Sequence, residues 1–185
     1  MVTRISQSQR REELIAAAAR VVLAGGLEAL TIRGAAAEAG ASIASVHYAF
    51  RDKTELRSAT LDRLLGDYRA EVLDPVTETI GHKQACEQII RGHWVWVQRS
   101  AGLARIVAET GLAPAPEGRD DHATAGADLI SAALGRSAGP GDGPSDDLAK
   151  VVAMFLTGMT TFYAVQGDAI AIDRAIDFFC SSIMI

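Results

Sequence analysis

The stretch from Thr31 to Leu56 constrains the chain most. Thr31 precedes Ile32 and an alanine-rich run that stops at Gly40. Ser42 precedes Ile43, Val46 and Phe50, and Asp52 precedes Lys53, Glu55 and Leu56. Thr, Ser and Asp are N-caps in such positions, because their side-chain oxygens accept from orphaned amides of the first helical turn. Glycine after the last helical residue takes the left-handed turn that a β-carbon opposes. The pattern predicts helix 2 over Ile32–Ala39, a tight turn at Gly40, helix 3 over Ile43–Phe50, and helix 4 from about Lys53 to about Val72. Asp52 and Glu55 read as the capping box of helix 4. A helix-turn-helix of this kind offers its second helix to the major groove of B-DNA.

Around this segment apolar residues recur three and four apart, with no sustained alternation, so the fold class is all-α with about nine helices. Ser6 and Gln9 form a second capping box, opening a helix 1 that reaches about Leu23 and stops at Gly25-Gly26, with Leu14, Ala18, Val21 and Val22 as its buried stripe. Leu56, Leu61, Leu64 and Leu65 supply the inner face of helix 4, and Asp74-Pro75 marks a break. Later helices are expected at about Thr77–Arg99, Ala101–Thr110, Asp120–Leu134, Asp146–Val165 and Ile170–Ile183. Leu112–Gly118 and Arg136–Pro144, rich in Pro and Gly, read as loops. The division expected is a three-helix head carrying the helix-turn-helix over residues 1–53 and a helical body over 54–185.

The net charge of −5 disfavours nucleic-acid binding only if it is uniform. Residues 1–70 hold ten Lys+Arg against eight Asp+Glu, and residues 71–185 hold eight against fifteen. A mildly basic head on an acidic body suits a DNA reader with a separate sensing domain. The longest apolar stretches, near Ala16–Ala24 and Val151–Leu156, fall short of the ~20 residues a span requires, so no membrane association is expected. No apolar signal segment opens the chain, and the two cysteines, Cys86 and Cys180, suit a reducing compartment; a cytoplasmic protein is expected.

On helix 3, Val46 and Phe50 point to the core against Ile32 and Ala39, leaving Ala44, Ser45 and Tyr48 outside, flanked by Ile43 and His47. Ile43 fits the core equally well. Ser45 and Tyr48 carry donors for base edges or phosphates, and Ile43 and Ala44 offer apolar contact to a thymine methyl. The helix lacks the Arg, Lys, Asn and Gln that make bidentate base contacts. Arg33, early in helix 2, is the candidate guanine contact, and Lys53, at a helix start, the candidate phosphate contact. Arg4, Arg10 and Arg11 are candidates for further backbone contacts.

Thr31, Ile32, Gly40, Ser42, Tyr48, Phe50, Lys53 and Leu56 fall where the TetR family of bacterial transcriptional regulators has its recurring residues, and the chain resembles that family from about Ser8 to Leu65. The resemblance implies that helices 1–3 form a DNA-binding head, helix 4 links it to a ligand-binding body, and the two C-terminal helices pair into a homodimer. It implies DNA contacts at Arg33, Ile43, Ala44, Ser45, His47, Tyr48 and Lys53. His47 stands where the family usually has tyrosine, and Ala49 where a polar residue is common. The function implied is a ligand-responsive regulator, a repressor released from a palindromic double-stranded operator by a small apolar effector. The alternative is a helical metal-sensing or protein-interaction module without DNA binding.

Glu78, His82 and Cys86 repeat at i, i+4 and i+8, a spacing that presents ligands on one helix face. No closing ligands are evident, so solvated helix surface is the expectation, with no metal and no cofactor. One of Trp94 and Trp96 is expected in the core and the other in a pocket. Trp94, Val97, Met154, Thr157 and Phe162 are the candidate ligand-lining residues. Met154, Phe155, Met159, Phe162 and Tyr163 crowd the penultimate helix on nearly every face, so with Ile172, Ile176, Phe179 and Ile183 they read as a subunit interface as well as a core, or as the lining of a larger pocket. Gly158 would permit close helix approach. No Gly-rich phosphate loop or nucleophile motif is present, so no enzymatic activity is expected.

Overall fold

Ser6 caps the first helix from outside: its hydroxyl accepts from the Gln9 amide at 3.1 Å. The computed structural model describes residues 6–76, 80–99, 102–106, 120–139 and 145–182, with side chains throughout except at 120–127. Helix α1 runs Gln7–Gly25 and ends where Gly26, at φ 83°, returns its amide to Val22 O. A 3-10 turn, Leu27–Ala29, leads to α2 (Ile32–Glu38), α3 (Ile43–Ala49) and α4 (Lys53–Tyr68). Then come a π turn at Arg69–Leu73, α5 (Gly81–Gln98), α6 (102–106), α7 (Asp120–Ser137), α8 (Ser145–Gln166) and α9 (Ala169–Ser182). No strand occurs among the described residues. Two compact units result: α1 to α4 as far as Asp67 together with residues 102–103, and the remainder from Tyr68. Most of α4 thus clusters with the first unit.

In the first unit α1 buries Leu14, Ile15, Ala17, Ala18, Ala19 and Val22, while Val21 is half-buried. Its alanines let α2 approach through Ala35 and Ala36, both buried. These two, at the centre of the short α2, take the fully buried positions; Ile32 and Ala39, at its ends, are half-buried. Leu56 and Leu64 of α4 are buried, Leu61 and Leu65 half-buried, and between them Thr60 donates its hydroxyl to Leu56 O at 2.7 Å. Gly102 is forced to be glycine, because a β-carbon there would collide with the Val22 and Leu23 carbonyls.

The second unit starts with a departure from regular helix. Where α-helix is expected to Val72, the last turn is π, with the Asp74 amide donating to Arg69 O at 2.8 Å. The wider turn lays Val72 against Gly92 of α5, whose added β-carbon would stand 3.4 Å from Val72 Cγ1. Tertiary packing, which no local pattern encodes, selects it. The core behind it joins Val72, Leu73, Ile89, Ile90, Trp94 and Val97 with Ile130, Leu134, Val152, Leu156, Ile172, Ile176 and Phe179. Cys86 and Cys180 lie in the same core as free thiols, and burial pushes the Cys86 thiol up to about 12 and that of Cys180 upward too.

One expectation is corrected at α8. Its Ser145–Gln166 span is long and apolar enough, by length and composition, to cross a membrane. Reading only the unbroken apolar run missed this, because isolated Thr and Gly residues extend the apolar segment without charging it. The helix is two-sided: Ala149, Val152, Leu156, Met159 and Thr160 are buried, whereas Val151, Met154, Gly158, Phe162 and Val165 form an exposed stripe at helical spacing. On α9 the large apolar residues Ile170 and Phe178 are likewise exposed. Ile183 and the loops over 112–118 and 140–144 lie outside the described residues.

Candidate nucleic-acid interface

The turn between α2 and α3 is fixed by backbone geometry. Gly40 sits at φ 60°, the Ala41 amide donates to Ala36 O at 2.9 Å, and the Gly40 amide to Ala37 O at 3.1 Å. This pair of bonds is the Schellman termination that a glycine in the left-handed region allows. Two residues on, Ser42 caps α3: its hydroxyl accepts from the Ser45 amide at 3.1 Å and pairs with the Ser45 hydroxyl at 2.8 Å. Val46 and Phe50, both buried, pin the inner side of α3.

The outer side is bare. Tyr48 is 75% exposed and Ile43 42%, Ala44 and His47 are exposed, and Ser45 is half-buried with its hydroxyl turned back to the cap. Ile43 therefore belongs to the surface rather than the core. In the first turn of α2, Arg33 is exposed, behind a Thr31 hydroxyl that accepts from the Gly34 amide at 2.9 Å. Lys53 opens α4 beside the Asp52 cap, whose Oδ1 accepts from the Glu55 amide at 2.8 Å. Among the described residues neither Arg33 nor Lys53 forms an ion pair.

Arg11, Arg51 and Arg10 of this unit are differently employed. Glu55 does not close the expected box with Asp52. Its carboxylate accepts from the Arg51 amide at 2.9 Å, from Arg51 Nε at 3.2 Å and from Arg11 Nη2 at 3.3 Å. The Arg51 amide, above all, holds this carboxyl below its usual range. Arg11 also lies over the Phe50 ring, 4.6 Å from its centroid, and Arg10 pairs with Glu13 at 2.9 Å. Both guanidinium groups thus already face carboxylates. Arg4 lies outside the described residues. Arg51, a cation the sequence reading passed over, exposes 87% of its side chain directly after α3. Its place between Phe50 and the cap Asp52 was the available signal.

The remaining candidates separate. His82 and Cys86 are buried, because they continue the inward stripe of Ala85, Ile89, Ile90 and His93, so solvated surface is the wrong description of that face. Glu78 lies outside the described residues, which contain no metal-holding cluster of His, Cys, Asp and Glu. Trp94 and Val97 are buried, the Trp94 indole N–H donating to Asp173 Oδ1 at 2.7 Å and its ring meeting Tyr163 edge-on. Thr157 is half-buried, while Met154 and Phe162 stand exposed on the outward stripe of α8. These five residues do not converge on one wall, since inward and outward faces of α8 are both represented. What residue-type reasoning missed is a buried chain of hydrogen bonds through Tyr68, His93 and Thr160, which are 25 and 67 residues apart.

Residues 14–60 match the family model of the bacterial regulatory proteins of the tetR family. Over 62 residues the chain is 47% identical to the HTH-type nicotine-responsive transcriptional repressor HdnoR of Paenarthrobacter nicotinovorans. That alignment covers 34% of this chain and spans only about a third (32%) of the relative's length. In fold, the chain resembles a TetR transcription regulator from Haloarcula marismortui, at 23% identity and TM-score 0.74, covering 96% of this chain and 98% of the other. It also resembles the transcriptional regulator FadR of Bacillus subtilis, solved in complex with stearoyl-CoA, at 14% identity and TM-score 0.67 over 92% and 97% of the two chains.

Proposed function

We propose that this chain, whose residues 14–60 match the family model of the bacterial regulatory proteins of the tetR family, is a homodimeric, ligand-responsive repressor of transcription. The observation that carries the proposal is the outer face of α3. Val46 and Phe50 anchor the helix, the Gly40 turn and Ser42 cap fix its start, and Tyr48, His47, Ala44 and Ile43 are left exposed on the outer side. A short helix held this firmly with an unburied outer face is what major-groove reading requires.

In this reading Tyr48 and Ser45 supply donors, Ile43 and Ala44 apolar contact, Arg33 the one guanine-type contact, and His47 and Lys53 contacts to the phosphate backbone. Pairing of two heads places their α3 helices about 34–36 Å apart on a palindromic operator. The exposed stripe Val151, Met154, Gly158, Phe162 and Val165, with Ile170 and Phe178, is the self-complementary surface proposed for the dimer. Met154 and Phe162 are therefore assigned to that interface, and the effector site is placed on the inner side of the body around Trp94, Val97 and Thr157. The surplus of acidic residues beyond residue 70 favours a neutral or cationic apolar effector over an anionic one. An effector releases the operator by binding more tightly to the body conformation that does not hold the heads at operator spacing.

Selection of duplexes from a random-sequence library by the full chain tests the proposal. The expected result is enrichment of a two-fold symmetric site whose binding weakens as salt rises. Failure to enrich any duplex, with the protein folded and dimeric, overturns it.

A further inference from the structure

We propose that Tyr68, His93 and Thr160 form a latch that holds the π turn at the end of α4, and that opening the latch lets this turn relax to regular helix. The inference deepens the regulator reading, on which its purpose rests, but its existence is decided without DNA. The direction of each bond follows from its neighbours. Thr160 donates its hydroxyl proton to Leu156 O at 2.7 Å, so toward His93 Nε2, 2.9 Å away, it is an acceptor. His93 must then carry its proton on Nε2, which leaves Nδ1 bare to accept the Tyr68 hydroxyl at 3.3 Å. The chain runs one way, from α4 through α5 to the α8 backbone, with every donor used.

Its placement gives it leverage. His93 and Thr160 are buried, and the half-buried Tyr68 holds its phenol deep enough that desolvation raises its pKa well above the usual value. The π turn begins at the next residue, Arg69, and its Val72 packs on Gly92, the immediate neighbour of His93. A π turn holds one residue more than an α turn and persists only where its surroundings favour it. Removing that extra residue re-registers the helix by one position, which carries the Tyr68 hydroxyl off His93. Tyr68 is the last residue before the irregularity, and its hydroxyl bond fixes which register is adopted. These are two discrete arrangements, as a switch requires.

Amide hydrogen exchange on the full chain, read residue by residue by NMR, tests the latch. Y68F keeps the ring against Trp96 and removes only the hydroxyl, T160V removes the acceptor at nearly constant shape, and T160S restores it. Exchange of the amides over residues 70–74 is expected to rise at least tenfold in Y68F and T160V and to return toward wild type in T160S. Amides of α5 and α8 outside the contact are expected to stay unchanged. An equal rise throughout α5 and α8 would show that Thr160 is merely a packing residue, and no rise at 70–74 would show that no latch exists; either result overturns the proposal. The nitrogen shifts of His93 give a second reading that does not depend on a variant folding. An Nε2-protonated neutral ring is expected, and the opposite tautomer overturns the proposed direction of the chain.

Discussion

His93 carries no charge at neutral pH because burial pushes its pKa down to about 4. The groups facing it are the Tyr68 phenol from α4, Trp96 from α5 and the Thr160 hydroxyl from α8, none of them ionised in acid. Unfolded, the same imidazole titrates near 6.5. Between these values the unfolded chain binds the additional proton, so the stability present above about pH 6.5 falls as pH drops toward 4. The full shift corresponds to roughly 3 kcal/mol. Urea midpoints at pH 7 and pH 5 are expected to differ in the native chain and to converge in H93Q; a native chain with no such difference would contradict a neutral buried ring. On the proposed DNA face the contrast is between two cations. R33A is expected to cost about 1–3 kcal/mol and to relax preference at one base pair, whereas K53A weakens all duplexes alike and reduces the salt slope by about 1. Binding isotherms of the selected duplex at several salt concentrations check both.

At the scale of elements, what was legible in the sequence is what lies within one turn of itself. Ser6, Thr31, Ser42 and Asp52 all cap as their spacing predicts, since each accepts from an amide only three residues on. Loss of the Ser42 hydroxyl removes the cap of α3, and S42A is expected to destabilise the head by ~1 kcal/mol in thermal or urea unfolding. The direction of the Glu55 carboxylate was not legible, because one of its partners, Arg11, lies 44 residues upstream on a different helix. Neither was the π turn, which Gly92 accommodates from α5. The exposed face of α3 followed from local period alone, with Ile43 the exception: its place near the helix start fits either side until α1 and α2 are in position.

For the whole molecule, the sequence marked α8 as apolar on nearly every face, and the structure sorts those faces. Leu156 and Met159 face inward, while Met154, Phe162 and Val165 face out. Acidic substitution of the outward pair, M154E with F162E, is expected to yield a folded monomer by light scattering and to cut affinity for a symmetric duplex by well over tenfold, since half the phosphate contacts are lost. A double variant that stays dimeric would place the subunit interface elsewhere. Ligand-lining residues were the least legible, because a pocket is a property of facing helices and no residue pattern announces which faces meet.

Cys86 and Cys180, sealed in the body with their thiols pushed up, leave the exterior chemically blank toward sulfhydryl reagents. A cysteine introduced at the exposed His47 would take a maleimide spin label alone, without any need to strip the native pair. Dipolar spectroscopy on that single label would then report the span between the two copies of α3 in the proposed dimer directly, in solution, with and without candidate small molecules.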